Sequence, residues 1–296
     1  MKRSILALLL AITLTLCACG SFVPSVRPDA PQRVAVLFSS LAEIWVEAGG
    51  TVDITVGEAV ERGFAPEGTP LVDSGAGKTV NVELLIAGKP DLVICSADVP
   101  AQVEAAQILA DTGTPVLVLH VETFDDYLEA LRAMTAITGS TAAYERGLAQ
   151  KKQIETLLAS ETATAISGKT VLFVRAGSTA SSTKVKGSDD HFAAMMLRQL
   201  GCVNVADGHP LSLDSLGMEA MIAADPDFIF FSLMGDEQAA RANVESLLNT
   251  PAWQTLSAVK NSRAFVLDRS LFHFKPCGRW PEAYHTLATM LTEESQ

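Results

Sequence analysis

Residues 81–94, NVELLIAGKPDLVI, and residues 217–230, GMEAMIAADPDFIF, decide the fold, because they are two copies of one pattern. Each copy predicts a short helix with a glutamate in its first turn, where the helix dipole favours a negative charge. In both copies a Pro-Asp pair and a buried strand follow. The copies lie 136 positions apart, and the same offset aligns Arg33-Val34 with Lys169-Thr170, where two further strands are expected. The chain is therefore predicted to consist of two similar halves.

Predicted strands and helices alternate through both halves. In the first half the hydrophobic pattern predicts strands at 33–38, 52–56, 92–95 and 116–119, and helices at 41–48, 82–87, after residue 100 and at 124–137. In the second half it predicts strands at 170–174, 228–231 and 264–267, and helices at 192–200, 218–224, 237–248 and from about 281. This alternation predicts mainly parallel sheets that are covered by helices on both faces. The predicted fold class is α/β, with two similar open lobes.

One long helix is predicted to join the two lobes. Residues 142–158, AAYERGLAQKKQIETLL, form a single uninterrupted helical pattern between the halves. Because open α/β sheets bind ligands beyond the carboxyl ends of their strands, we expect a ligand cleft between the lobes. We divide the chain into a signal peptide (1–18), a tether (19–31), an N-terminal α/β lobe (32–140), a spine helix (141–166) and a C-terminal α/β lobe (167–296).

The N-terminal residues predict export and attachment to a membrane. Two basic residues precede an apolar run at 5–12 that is too short to span a bilayer comfortably, as in a secretory signal. Residues 16–20, LCACG, resemble a bacterial lipobox, in which a small residue precedes the cysteine that is lipidated. Cys19 fits this pattern better than Cys17, which follows a leucine. We expect a lipid anchor on the extracytoplasmic face of the cell membrane, with an ordinary secretion signal cut nearby as the alternative.

The composition excludes several classes of protein. The 296 residues are 48% hydrophobic and 19% charged, which is too apolar for a disordered chain and sufficient for two cores. The formal net charge of −12 argues against nucleic-acid binding, which requires a basic surface. No G-x-S-x-G elbow or Cys/His signature favours a hydrolase. Cys95, Cys202 and Cys277 are widely spaced and odd in number, so they predict buried free thiols rather than disulfides.

Taken together, the lipobox, the two similar lobes, the connecting helix and the paired E-x6-P-D motifs resemble a helical-backbone substrate-binding protein of an ABC importer. Residues 111–116, DTGTPV, and 258–268, AVKNSRAFVLD, are also similar to recurring segments of that family. The resemblance covers nearly all of residues 33–291. It implies a receptor that captures a metal chelate and delivers it to a permease dimer with its ATPase. We expect a monomer that is not an enzyme and carries no cofactor of its own.

Polar and basic side chains follow the predicted strands on both lobes. The candidate ligand-binding residues are Ser39, Ser40, Ser96, Arg175, Lys184, Lys186, Ser232, His273, Lys275, Arg279 and Trp280. Five of them are basic in an acidic protein, which predicts an anionic ligand, although each lysine alone is also compatible with a solvated loop charge. Arg175 and Arg279 are the strongest candidates, because one lies at a strand end and the other beside Trp280, where a ligand could stack.

The two glutamates of the paired motifs have a role by resemblance. In this family one surface glutamate on each lobe pairs with arginine pockets on the permease, and Glu83 and Glu219 occupy matching positions. Such charge-assisted pairs on two lobes would make docking sensitive to the arrangement of the lobes. Stabilisation of the helix N-terminus alone is the other interpretation.

The expected cargo is an iron chelate of the siderophore type, and several alternatives stay open. Cobalamin, haem, a free metal ion or an oxyanion would suit the same role, and a secreted enzyme or a sensor module on the same fold is a further alternative. The histidines lack metal-ligand spacing, but His120 follows a predicted strand and could face the cleft. The loop at 69–81 contains no aromatic residue, which lowers the case for cobalamin. The three tyrosines look poorly placed for haem iron.

Overall fold

The computed structural model describes residues 31–73, 79–208 and 215–292. The predicted signal peptide, Cys19 and the loop at 74–78 lie outside the described residues. The strands are β1 Val34–Val36, β2 Ile54–Thr55, β3 Leu92–Ser96, β4 Val116–Leu119, β5 Thr170–Ala176, β6 Lys184–Val185, β7 Val203–Asn204, β8 Phe228–Leu233 and β9 Ala264–Val266. The helices are α1 Ser39–Glu47, α2 Gly57–Glu61, α3 Val82–Ala87, α4 Pro100–Asp111, α5 Phe124–Thr138, α6 Thr141–Leu158, α7 Glu161–Ile166, α8 Phe192–Gln199, α9 Ser215–Ala224, α10 Glu237–Leu248, α11 Ser257–Lys260, α12 Arg269–Phe272 and α13 Trp280–Thr292.

Each lobe is built on one sheet. In the N-terminal lobe the strand order is β2-β1-β3-β4, and these neighbours pair in parallel. In the C-terminal lobe the order is β6-β5-β8-β9, with β7 beside the beginning of β5. Among the described strands only β6 is antiparallel, and it pairs with the end of β5. The α/β fold class with mainly parallel sheets, predicted from the sequence, is confirmed.

The paired motifs fix the start of the central strand in each lobe. The carboxylate of Asp91 accepts hydrogen bonds from the backbone N–H groups of Gln32 and Arg33, at 2.9 and 3.0 Å, just before β1. The carboxylate of Asp227 accepts bonds from the backbone N–H and the hydroxyl of Thr170, both at 2.8 Å, at the first residue of β5. One aspartate in each lobe therefore ties the loop that follows the motif helix to the central strand. The two halves share this contact as well as their sequence pattern.

The spine consists of two helices rather than one. Within the predicted range 141–166, the hydroxyl of Ser160 accepts a hydrogen bond from the backbone N–H of Ala163 at 3.2 Å and thereby starts α7. Before this break, α6 packs against α5 and α13. Gly147 permits the close approach to α5, since a Cβ atom there would lie 2.8 Å from the Leu131 side chain. In residues 31–73, 79–208 and 215–292, no helix combines the length and the apolar character needed to cross a bilayer.

One hydrophobic core runs through both lobes. The fully buried indole of Trp280 meets the ring of Phe124, from the N-terminal lobe, edge-on with 6.1 Å between centroids. It meets the ring of Phe192, from the C-terminal lobe, at 5.9 Å. The lobes are therefore fixed to each other by a shared core as well as by the spine.

Candidate ligand-binding cleft

The two lobes contact each other near the carboxyl ends of their strands. Lys275 of the C-terminal lobe forms an ion pair with Glu122, which lies between β4 and α5. The guanidinium of Arg62 lies 4.0 Å from the centre of the Phe274 ring. Both contacts join segments that follow strands of the two sheets, which is where open α/β sheets hold their ligands. We therefore place the candidate ligand-binding cleft at this junction of the two lobes.

One face of the C-terminal sheet carries three basic residues. Arg175 of β5 lies opposite Lys184 of β6 in the antiparallel ladder. The backbone N–H of Lys186 donates to the carbonyl oxygen of Phe173 at 2.9 Å, which continues the same ladder. Residues opposite each other in an antiparallel pair share a face, and so do residues two apart on one strand. The three basic side chains therefore project from the face that also carries Phe173. None of them forms an ion pair with any residue in the described part of the chain.

His191 lies against this basic face. The centre of its ring is 4.6 Å from that of Phe173 and 4.7 Å from that of Phe192. Burial is the main cause that lowers the pKa of His191 to about 3, and nearby positive charges, foremost Lys275 and Arg175, lower it further. The imidazole is therefore uncharged at neutral pH.

The backbone determines which nitrogen of His191 carries the proton. Nδ1 accepts a hydrogen bond from the backbone N–H of Ala193 at 3.2 Å and thereby caps α8. A neutral imidazole has one N–H group, so the proton is on Nε2. No residue described by the structure forms a hydrogen bond with Nε2. The side chain thus offers an uncharged donor beside the basic face, and its position directly before a predicted helix is the only sequence signal for it.

Ser39 and Ser40, predicted to contact the ligand, are buried at the start of α1. Ser39 donates a hydrogen bond to the carboxylate of Glu58 and accepts one from Arg62 at 3.0 Å. Arg62 also pairs with Glu43 at 2.5 Å, and burial nevertheless raises the pKa of Glu43. The two serines therefore belong to a buried polar network beneath the cleft. The sequence pattern does not single out Arg62 and Glu58, which complete that network.

Ser96, Ser232 and His273 also use polar atoms inside the protein. The Ser96 hydroxyl accepts a hydrogen bond from the backbone N–H two residues further on, at 3.2 Å. The Ser232 hydroxyl donates to the carbonyl oxygen of Phe272 at 2.9 Å. Nδ1 of His273 donates to the carbonyl oxygen of Leu233 at 2.8 Å, and burial lowers the pKa of this histidine. These side chains hold the loops at the strand ends in position.

Arg279 and Trp280 do not line the cleft, contrary to the prediction. Trp280 is fully buried between the lobes, so no ligand can stack on it. Arg279 forms a two-point ion pair with Glu282, with both N–O distances at 2.7 Å. It lines a cavity of about 450 Å³ beside the spine residues Arg146 and Gln150. The two residues are near Lys275 in the sequence, but a short turn at Cys277–Arg279 follows Lys275, and Trp280 begins α13 in the core.

The N-terminal side of the cleft carries an exposed histidine. His120 follows β4, with Nδ1 2.6 Å from the carboxylate of Asp98 and Nε2 4.0 Å from that of Asp126. Within the described ranges, no group of three or more His, Cys, Asp or Glu residues is arranged to hold a metal ion. Burial raises the pKa of each of the three free, buried cysteines, which are Cys95, Cys202 and Cys277.

Comparison with known proteins identifies the family. The model of the periplasmic binding protein family matches residues 34–271. The molybdate-binding protein MolA of Haemophilus influenzae is 23% identical over 270 residues, which cover 81% of this chain and 73% of that protein. The periplasmic heme-binding protein RhuT from Roseiflexus sp. RS-1, in its apo form, has a TM-score of 0.71 and 21% identity over 89% of this chain and 99% of its own. The periplasmic vitamin B12 binding protein BtuF of Vibrio cholerae has a TM-score of 0.68 and 18% identity over 88% of this chain and 97% of its own.

The chain belongs to the periplasmic binding protein family, and the match includes both lobes and the spine. The helical-backbone type of binding protein predicted from the sequence is confirmed. As a member of this family, the protein is an extracytoplasmic binding protein.

Proposed function

We propose that this binding protein captures an anionic iron chelate of the siderophore type and delivers it to an ABC permease dimer with its ATPase. The observation that supports this cargo is the basic face formed by Arg175, Lys184 and Lys186. None of these three residues forms an ion pair with another described residue. Arginine and lysine bind carboxylates and other oxyanions through charge-assisted hydrogen bonds, and many ferric chelates expose such groups. His191 adds an N–H donor that stays uncharged at neutral pH.

Calorimetric titration of the protein from residue 20 onward tests the cargo. The panel consists of ferric citrate, a ferric catecholate, a ferric hydroxamate, haem, cyanocobalamin and molybdate. The expected result is saturable binding of one anionic ferric chelate and weaker binding of the same molecule without iron. Binding of cyanocobalamin alone would contradict an anionic cargo, and so would the absence of binding across the panel.

A tetrahedral oxyanion is the second candidate cargo. The sequence match to the molybdate-binding protein MolA favours it, and the basic face suits a small divalent anion as well as a chelate. Binding of molybdate with competition by tungstate, and no binding of the ferric chelates, would select this cargo. Cobalamin, haem and a free metal ion are the remaining alternatives.

We propose that Glu83 and Glu219 dock the two lobes on the permease. Both side chains are exposed, and neither pairs with a cation among the residues described. Reversing both charges is expected to abolish uptake and to leave ligand affinity unchanged, because neither residue belongs to the basic face. Lost ligand affinity would contradict the docking role, and normal uptake would favour simple stabilisation of the N-terminus of α3 by Glu83, since Glu219 lies beyond the first turn of α9.

We also propose a lipid anchor at Cys19, a monomeric state and no catalytic activity. The anchor would hold the receptor on the extracytoplasmic face of the membrane. Metabolic labelling with a palmitate analogue should mark the wild-type protein and not the Cys19→Ser variant, which should appear in the soluble fraction. Labelling that persists in the variant would contradict the anchor.

A further inference from the structure

Two exposed isoleucines accompany the docking glutamates. Ile86 is 46% exposed and Ile222 is 39% exposed. Each isoleucine follows its glutamate by three positions, and residues three apart lie on the same face of a helix. The acidic group and the apolar side chain of each lobe therefore form one surface patch. We call them the paired patches: Glu83 with Ile86 on α3, and Glu219 with Ile222 on α9.

The paired patches are oriented in the same way on the two lobes. Leu85 of α3 and Met221 of α9 are both fully buried, and each lies two positions after the glutamate of its helix. Because the buried side chain has the same position relative to the glutamate in both helices, the two glutamates have the same orientation relative to the core. Each helix also precedes a strand, β3 or β8, that pairs with the central strand of its lobe. The match thus extends from sequence to exposed surface.

The paired patches lie toward the cleft. In a parallel sheet, the helix that precedes a strand runs from the carboxyl-end edge back to the amino-end edge. Glu83 lies in the first turn of α3, at the edge where the cleft opens, and Glu219 lies in the second turn of α9, one turn further from that edge. A partner that covers the cleft meets both patches at once.

We propose that each paired patch inserts its isoleucine into an apolar pocket of the permease, next to the basic group that binds its glutamate. This inference rests on the docking role proposed above. Two equivalent patches require two equivalent sites, which a dimer of identical permease subunits presents. Exposed ion pairs are weakened by salt, whereas burial of an isoleucine is not. The isoleucines therefore supply a part of the docking free energy that persists at high ionic strength.

Photo-crosslinking of the full chain in intact cells identifies the partner. A photoreactive amino acid is placed at position 86 or at position 222, and at the control positions 118 and 203. Val118 and Val203 are 45% and 54% exposed, so they match the isoleucines in exposure and differ in location. Positions 86 and 222 are expected to crosslink to one and the same membrane polypeptide, and the two control positions are not.

Binding is then measured between dye-labelled protein and proteoliposomes that contain the crosslinked polypeptide with its ATPase. The double variant Ile86→Ser with Ile222→Ser is expected to weaken binding about a hundredfold, at roughly tenfold for each buried interface side chain. This loss should persist at high salt, unlike the loss caused by charge reversal at Glu83 and Glu219. The matched control, Val118→Ser with Val203→Ser, should bind as the wild type does.

The outcomes separate this inference from the docking proposal. If charge reversal abolishes binding and the isoleucine variant binds normally, the inference fails and the docking proposal stands. If neither variant changes binding, both fail. Crosslinks from positions 86 and 222 to different polypeptides, or to a second copy of this chain, overturn the inference of a symmetric permease.

Discussion

His191 makes the stability of the protein depend on pH. Its pKa falls from an ordinary value of 6.5 to about 3, mainly because burial disfavours the imidazolium ion. Below pH 6.5 the unfolded chain binds a proton at this residue that the folded protein does not bind, so the free energy of unfolding decreases as the pH falls. At pH 5 the decrease amounts to about 2 kcal/mol, at about 1.36 kcal/mol for each pH unit below 6.5.

Urea unfolding at pH 7.5 and at pH 5.0 measures this effect. The wild type should lose about 2 kcal/mol more than the His191→Asn variant over this interval. Other buried groups also change the free energy of unfolding between these pH values. His273, whose pKa is lowered, decreases it as the pH falls, whereas Glu43 and Glu47, whose pKa values burial raises, increase it. Both proteins contain these groups, so their effects cancel in the comparison. His285→Asn, at an exposed position, is the matched control and should keep the wild-type dependence. Equal losses in wild type and His191→Asn would refute the reasoning.

Three further predictions concern the cleft, the paired motifs and the core. Arg175→Ala should weaken binding of the anionic ligand by about tenfold or more, since it removes a charge-assisted hydrogen bond, whereas Arg279→Ala should leave the affinity unchanged; calorimetry measures both, and equal effects would contradict the assignment. Asp91→Ala and Asp227→Ala should each lower the free energy of unfolding by about 1–3 kcal/mol, because two bonds to a carboxylate are lost; unchanged urea midpoints would show that these bonds add no stability. Trp280→Ala should lower the free energy of unfolding by about 3–5 kcal/mol, because it opens a cavity between the lobes; urea unfolding measures the change. A decrease no larger than that of the exposed control, Val118→Ser with Val203→Ser, would contradict the shared core.

The fold is largely predictable because its main features repeat. The bounds of α3 at Val82–Ala87 coincide with the predicted helix, and a strand follows its Pro-Asp pair as the hydrophobic run indicates. The break in the spine at Ser160 is not predictable from periodicity, because helical residues lie on both sides of it. The strand predicted at 52–56 is present as β2, whereas the two-residue strands β6 and β7 are too short to produce a recognisable alternation.

The candidate site is predictable only where strand ends reveal it. Arg175 follows from the position of a buried strand, because its side chain projects where that strand ends. Glu122 does not, because its partner Lys275 is 153 positions away and only the folded chain brings the two together. Trp280 shows the opposite error, since its place beside Arg279 predicts that a ligand stacks on it, whereas the folded chain buries it fully. Tertiary contacts, which one sequence does not display, decide these roles.

The place of Trp280 in the chain bears on when the protein can fold during its synthesis. Phe124 and Phe192 are made early, but the indole that packs between them belongs to the last helix. Until residue 280 has left the ribosome, the contacts of the indole with these two rings cannot form, and the core shared by the two lobes stays incomplete.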